Sequence, residues 1–179
     1  LRGDQTKRPA AFLDRDGVLN VDHNYVFKPG HLDWIADAPE AVRLLNEAGY
    51  TVIVVTNQSG IARGYYSEAD MHRFHAHMQE ALRTQGAHID AFYFCPHHPD
   101  GKVKELAIKC DCRKPGTGMF QQAARDWPLD LGRSFMIGDK DGDMEAAAAF
   151  NIHGIRFDSK TDISLADVVR GHLTAQPAR

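Results

Sequence analysis

Three short runs, residues 10–13, 52–55 and 135–137, are apolar throughout and rich in branched and aromatic residues, with no polar residue alternating between them. A strand wetted on one face alternates, so a run that does not is covered on both faces, as strands of a parallel sheet are. Residues 92–94 and 152–157 are weaker candidates of the same kind. Between the runs lie helix-like stretches: 39–48 closing at Gly49, 68–84 after Ser67 and closing at Gly86, 119–126 opened by Thr117 or Gly118, and a run from Asp141 through Ala149. Ser67 with Asp70 reads as a capping box, with Asp where Glu or Gln is commoner. Strands alternating with helices predict a doubly wound α/β domain: a mainly parallel sheet with helices on both faces. The 179 residues suit a single domain over 1–179, with residues 1–8 expected to be flexible.

Composition narrows the partners. Hydrophobic residues make up 43% of the chain, enough for a real core. The net charge of -3, from 21 basic and 24 acidic residues, leaves no footprint for nucleic acid or an anionic membrane. No apolar stretch approaches the ~20 residues needed to span a bilayer, and no leader pattern precedes the first run. A cytoplasmic monomer acting on a small molecule is expected, with no nucleic-acid or membrane partner.

In an open parallel sheet ligands bind beyond the carboxyl ends of the strands. The first run ends in Asp14-Arg15-Asp16-Gly17, the second in Thr56-Asn57-Gln58-Ser59-Gly60 and the run at 135–137 in Gly138-Asp139-Lys140-Asp141-Gly142-Asp143, while Lys114 lies in a loop. Carboxylates at the mouths of two strands repel one another unless a cation lies between them, and a hard, oxygen-liganded ion such as Mg2+ suits that place. Phosphate esters follow, because the ion can bridge carboxylate and phosphoryl oxygens while Thr56 and Lys114 neutralise the rest. Asp14 can attack phosphorus as a nucleophile. Asp16, on the same face of an extended chain, can protonate the leaving alkoxide and then activate water; beside a phosphate and a second carboxylate its pKa should be raised. Singly, Asp-x-Asp is a turn, Thr56 a cap and Lys114 a solvated side chain. Their order along the chain favours the catalytic reading.

Cys95-x-His97 and Cys110-x-Cys112 are two close pairs that use every cysteine of the chain. Spacing alone fits both a tetrahedral Zn2+ set and buried free thiols, and His98 could stand in for His97. His72, His75 and His77 read as a solvated helix face.

These motifs in this order, Asp14-Arg15-Asp16-Gly17, Thr56, Lys114 and 139–143, resemble those of the haloacid dehalogenase superfamily of phosphatases. Within it, Asn20-Val21-Asp22-His23, 56–64, Cys95-Pro96-His97-His98-Pro99 and Cys110-Asp111-Cys112-Arg113-Lys114-Pro115 resemble the branch acting on a seven-carbon sugar 1,7-bisphosphate. Likeness covers roughly residues 9–150. It implies a core with no large cap domain, and Mg2+ held by Asp14, the backbone carbonyl of Asp16, and Asp139. It further implies that Asp14 is the nucleophile, Asp16 the acid/base, and Thr56 and Lys114 the phosphoryl stabilisers. Substrate contacts would come from Asp22, His23, Asn24, Tyr25, Asn57, Gln58, Ser59, Arg113 and Lys140. The same likeness favours a structural Zn2+ on Cys95, His97, Cys110 and Cys112, orienting Arg113 and Lys114. Histidinol-phosphate phosphatases resemble the chain nearly as well and polynucleotide 3'-phosphatases less. A receiver-type phosphoaspartate switch shares the metal and the Thr and Lys, but not the Asp14/Asp16 spacing or the cysteines.

Overall fold

The computed structural model describes residues 6–176. Strands β1 (Ala10–Leu13), β2 (Thr51–Asn57), β3 (Ala91–Cys95), β4 (Phe135–Gly138) and β5 (His153–Arg156) form one parallel sheet in the order β3-β2-β1-β4-β5. Helices α1 (Ala38–Glu47), α2 (Glu68–Arg83), α3 (Gly118–Asp126), α4 (Asp141–Ala149) and α5 (Leu165–Ala175) connect and follow them. Alternate strand residues face opposite ways. Ala11, Leu13, Val52 and Val54 pack with α1, α2 and α5, whereas Ala10, Phe12, Ile53 and Val55 pack with α3 and α4. Apolar layers on both sides are why these runs carry no polar alternation.

Strand order reverses at β1: β2 and β3 extend to one side, β4 and β5 to the other. The chain therefore leaves the ends of β1 and β4 in different directions and opens a crevice between them. Long connections, 14–37 after β1 and 96–117 after β3, rise over that crevice; among the described residues no inserted cap domain covers it.

The α2 capping box forms as read, with Ser67 Oγ accepting from Asp70 N at 3.1 Å and Asp70 Oδ2 accepting from Ser67 N at 2.8 Å. Helix α5 carried no expectation from sequence; it seats Leu165, Ala166 and Val169 in the core beside α1 and opens with a second box, Ser164 and Asp167. Of the stretch 1–8 expected to be flexible, residues 6–8 are described. Residues 1–5 lie outside the described residues, but Arg8 N donates to Pro128 O at 3.0 Å, Arg8 O accepts from Asp130 N at 2.8 Å, and its guanidinium reaches Gly49 O at 2.9 Å. Among the described residues no helix is long and apolar enough to cross a membrane.

Phe120 on α3 is fully buried, its ring 4.9 Å from Phe12 and 5.4 Å from Phe150. Phe120→Ala should cost about 3–5 kcal/mol, as cavity-forming aromatic truncations do, read as a lower urea midpoint at constant slope. A loss under about 1 kcal/mol would mean that this layer is not close-packed.

Candidate active site

Asp14 follows β1 directly and stands over the crevice, 6% exposed. Its Oδ1 accepts from Arg15 N at 2.9 Å and from Lys114 Nζ at 2.9 Å. The same ammonium lies 2.6 Å from Asp143 Oδ1 and donates to Val55 O at 2.8 Å. Burial disfavours the Lys114 charge, yet Asp14 and Asp143 hold its pKa above the ordinary lysine value. Burial pushes the Asp14 carboxyl up to about 7 against the pull of Lys114, with Asp143 and Asp139 adding to the rise. Asp14 rises chiefly because it is buried, whereas Lys114 rises against burial because two carboxylates face it.

Asp143 is the residue that sequence reading left out of the candidate set. It sits four positions after Asp139, in the first turn of α4, and its Oδ2 accepts from Asp139 N and Lys140 N at 3.1 Å each. An acid there reads as a helix cap, which hides its other oxygen. Gly138 makes room, since a Cβ at that position would meet Asp143 Cβ at 2.2 Å.

Asp16 corrects an expectation. Its pKa is lowered rather than raised: burial favours the neutral form, but the Arg15 charge, with hydrogen bonds from Arg15, Asn20 and Gln58, outweighs it. Oδ1 takes Arg15 Nη2 at 2.9 Å and Asn20 Nδ2 at 3.0 Å, and Oδ2 takes Gln58 Nε2 at 3.1 Å. The raised value presumed a phosphate alongside; without one, the donors decide. Arg15 is itself fully buried, donating to Val26 O at 2.7 Å, with Nη1 3.3 Å from His75 Nε2. His75 is thus not on a solvated face: its ring stacks on Phe92 at 4.4 Å, and burial, with the Arg15 charge, pushes it down to about 3.

Two joined hollows form the cleft. The inner, about 270 Å³, is lined by Asp14, Arg113, Lys114 and Asp143; the outer, about 220 Å³, by Asp22, Asn24, Tyr25, Gln58 and Tyr66; Asp16, Asn57, Ser59 and Lys140 border both. Lys140 Nζ lies 3.6 Å from Asp22 Oδ2 across the outer hollow. Of the residues predicted for catalysis, substrate or Mg2+, three stay off the lining: Asp139, which borders a neighbouring hollow with Gly17 and Asp141, His23 and Thr56. His23 turns away to Asp33, 2.8 Å from Nε2 to Oδ2, and Thr56 lies beneath Gln58, its Oγ1 accepting from Gln58 Nε2 at 2.8 Å. Asn57 contributes mainly by holding the neighbouring loop: its amide exchanges hydrogen bonds with Lys114 O at 3.1 Å and Lys114 N at 3.0 Å.

Cys95, His97, Cys110 and Cys112 converge at the foot of that loop. Cys112 Sγ lies 2.9 Å from Cys95 Sγ, 3.4 Å from Cys110 Sγ and 3.3 Å from His97 Nδ1. The soft donor set and this closeness fit a four-coordinate Zn2+, whose sulfur ligands stand about 2.3 Å from the ion. His97 rather than His98 faces the cluster; His98 Nε2 is 3.3 Å from Arg63 Nη2, and its Nδ1 accepts from Asp100 N. A hard cation fits the second group, Asp14, Asp139 and Asp143. Asp139 Oδ1 is buried without a hydrogen-bond partner among the described residues, and three carboxylates stand against one ammonium. Gly17 lets the carboxylates come close: at φ 89°, a Cβ there would meet Asp139 Oδ2 at 2.2 Å.

Comparisons with known proteins agree with this geometry. A family model described as HAD-hydrolase-like matches residues 111–167. The chain is 49% identical over 154 residues to D-glycero-beta-D-manno-heptose-1,7-bisphosphate 7-phosphatase of Rhodopseudomonas palustris, covering 86% of each, and 45% identical to the enzyme of that name from Escherichia coli, covering 80% of this chain and 75% of that one. Among solved structures it resembles a putative HAD-like phosphatase of Mesorhizobium loti (TM-score 0.81, 35% identity, 94% of this chain and 87% of that one). It also resembles D,D-heptose 1,7-bisphosphate phosphatase of B. bronchiseptica complexed with magnesium and phosphate (TM-score 0.80, 31% identity, 94% and 99%).

A proton held by Asp14 up to about pH 7 competes with a metal for the same oxygens. Apparent magnesium affinity should therefore weaken as pH falls below about 7, by up to about tenfold per unit, and the dependence should flatten in Asp14→Asn. Calorimetric titration between pH 5.5 and 8 checks this (roughly the range over which that proton is exchanged). A flat wild-type profile would count against the raised carboxyl.

Proposed function

The chain belongs to the D-glycero-beta-D-manno-heptose-1,7-bisphosphate 7-phosphatase family of the haloacid dehalogenase-like hydrolases, and on that footing we propose that it removes the 7-phosphate of the heptose bisphosphate through an aspartyl phosphate on Asp14. The observation that carries the proposal is the grouping of Asp14, Asp139 and Asp143 around buried Lys114, in a hollow that opens past Asp16 into a second, polar one. The first suits a phosphoryl group and the second its sugar. The relatives' names also speak for a turnover enzyme rather than a phosphoaspartate switch. We read residues 1–179 as one phosphatase domain.

Asp14 Oδ1 is taken by two donors, so Oδ2 attacks phosphorus. The bond from phosphorus to the C7 oxygen breaks, its electron pair leaves with that oxygen, and Asp16 supplies the proton. Asp16 is ionised in the substrate-free protein; the approaching phosphate dianion raises its proton affinity and loads it for this step. Asp16 then takes a proton from water as the water oxygen attacks phosphorus, releasing phosphate and restoring Asp14. Lys114 neutralises phosphoryl charge. The Thr56 hydroxyl, already accepting from Gln58, keeps its hydrogen for a phosphoryl oxygen. Magnesium held by Asp14, the Asp16 carbonyl and Asp139, with Asp143 alongside, would add positive charge at the same oxygens. Arg113 Nη1, buried without a partner among the described residues, and Lys140 suit the second phosphate; Asp22 and Asn24 suit the hydroxyls. His23 is retained as a contact only if it leaves Asp33. Zinc on the Cys/His cluster would be structural, because four protein ligands leave no open position.

Phosphate release with magnesium should show the highest kcat/KM on heptose 1,7-bisphosphate, compared with fructose 1,6-bisphosphate and histidinol phosphate; equal values would sink the substrate. Asp14→Asn should lose roughly a thousandfold or more on every ester, as nucleophile removals do. Measured by elemental analysis, Cys112→Ser should carry less zinc than the unaltered chain, and it should melt earlier and turn over more slowly. A verified zinc-free protein with an unchanged rate would uncouple the cluster from Arg113 and Lys114.

A further inference from the structure

The oxygen of Asp16 that faces catalysis is Oδ2, because Oδ1 is taken by Arg15 and Asn20. Oδ2 itself has one side-chain partner among the described residues, the Gln58 amide, whose Nε2 donates to Asp16 Oδ2 at 3.1 Å and to Thr56 Oγ1 at 2.8 Å. A carboxylate offers acceptors alone, so the nitrogen end of the amide must face it and Oε1 must point the other way. There it meets the Tyr66 hydroxyl at 2.5 Å, which has to donate. Tyr66 can do so throughout the working pH range, since burial pushes its phenol well above the ordinary tyrosine value. Gln58 is 2% and Tyr66 7% exposed, so water offers little substitute.

We infer that Tyr66 is a positioning residue for the proton transfer: its hydroxyl fixes the orientation of the Gln58 amide, which in turn aims Asp16 Oδ2 at the leaving oxygen. This rests on Asp16 being the acid of the proposed reaction. Two features hold Tyr66 independently of its hydroxyl. Its ring stacks on Phe27, with centroids 4.8 Å and planes 14° apart, and Gly60 leaves the space it fills, since a Cβ there would meet Tyr66 Cε1 at 2.2 Å. Without the hydroxyl, Gln58 Oε1 is buried and unpaired; the amide gains by turning, which would present oxygen to the Asp16 oxygen and deflect it.

Leaving-group dependence separates this role from general damage. A sugar alkoxide needs a proton to leave; a nitrophenolate does not. kcat/KM, which reports events through the first phosphoryl transfer, is measured with magnesium on heptose 1,7-bisphosphate and on 4-nitrophenyl phosphate. Tyr66→Phe should lose about tenfold on the sugar ester and less than about threefold on the aryl ester, a fraction of what a general acid contributes. Gly60→Ala, which displaces the same ring, should show the same selective loss, so the test survives if one variant folds poorly. Phe27→Leu, which loosens the stack and spares the hydroxyl, should lose the same factor on both esters. Equal losses on both esters in Tyr66→Phe, or none, overturn the inference. Asp16→Ala tells the two readings apart: if it shows the leaving-group dependence and Tyr66→Phe does not, the Tyr66 role alone fails; if Asp16→Ala shows none, the acid assignment fails and the inference with it.

Discussion

Lys114 is the one charge that the rest of the site cannot do without. Its ammonium lies out of water between Asp14 and Asp143, and either carboxylate left alone there would carry the full cost of an unpaired buried ion. The fold devotes several parts to keeping it in place. The Asn57 amide fastens the Lys114 backbone to the end of β2, and the Cys/His cluster closes the loop that delivers it. Because α4 begins at Asp141, the acid that receives the ammonium comes from its first turn, where backbone N–H groups steady the second oxygen. Sheet, loop and helix thus meet on a single nitrogen.

Two carboxylates separated by one residue are driven in opposite directions by what surrounds them. Burial, with acids alongside, raises the proton affinity of Asp14; at Asp16 burial is outweighed by Arg15, Asn20 and Gln58 and the proton affinity falls. Environments that separate neighbouring acids are how one site assigns different roles to the same chemical group. On the proposed roles, the substrate-free directions are the reverse of a resting acid beside a resting nucleophile, and loading would reset both, Asp14 by a cation and Asp16 by the phosphate.

Much of this was legible in the sequence because apolar runs and strand-end positions obey short-range rules. β1 is found where its four residues predicted, and Asp14, Asp16, Lys114 and Asp139 come together at the carboxyl ends as expected of an open parallel sheet. What escaped depends on tertiary partners. Asp143 looked like a helix cap because it is one, and its second oxygen is used by a residue 29 positions earlier in the chain. His75 looked solvated because its helix also carries exposed histidines, and only the depth of Arg15 shows why one of them is buried. Tyr66 is an ordinary aromatic until Gln58 is seen beside it. Helix α5 has a capping signal in Ser164 and Asp167, but its apolar residues gain meaning only against α1.

With no inserted cap domain among the described residues, such a cleft must discriminate by other means. Where a lid closes, the protein itself shuts out the solvent; here two joined hollows stay open to bulk water beneath loops. The stopper must then be the leaving group. A sugar wide enough to fill the outer hollow, between Tyr25 and Lys140, would dry the inner one and strengthen every charge interaction around Lys114, whereas a slender ester would leave it wet. Selectivity in such an arrangement is written in the speed of the reaction more than in the grip on the ground state, with the substrate acting as its own door.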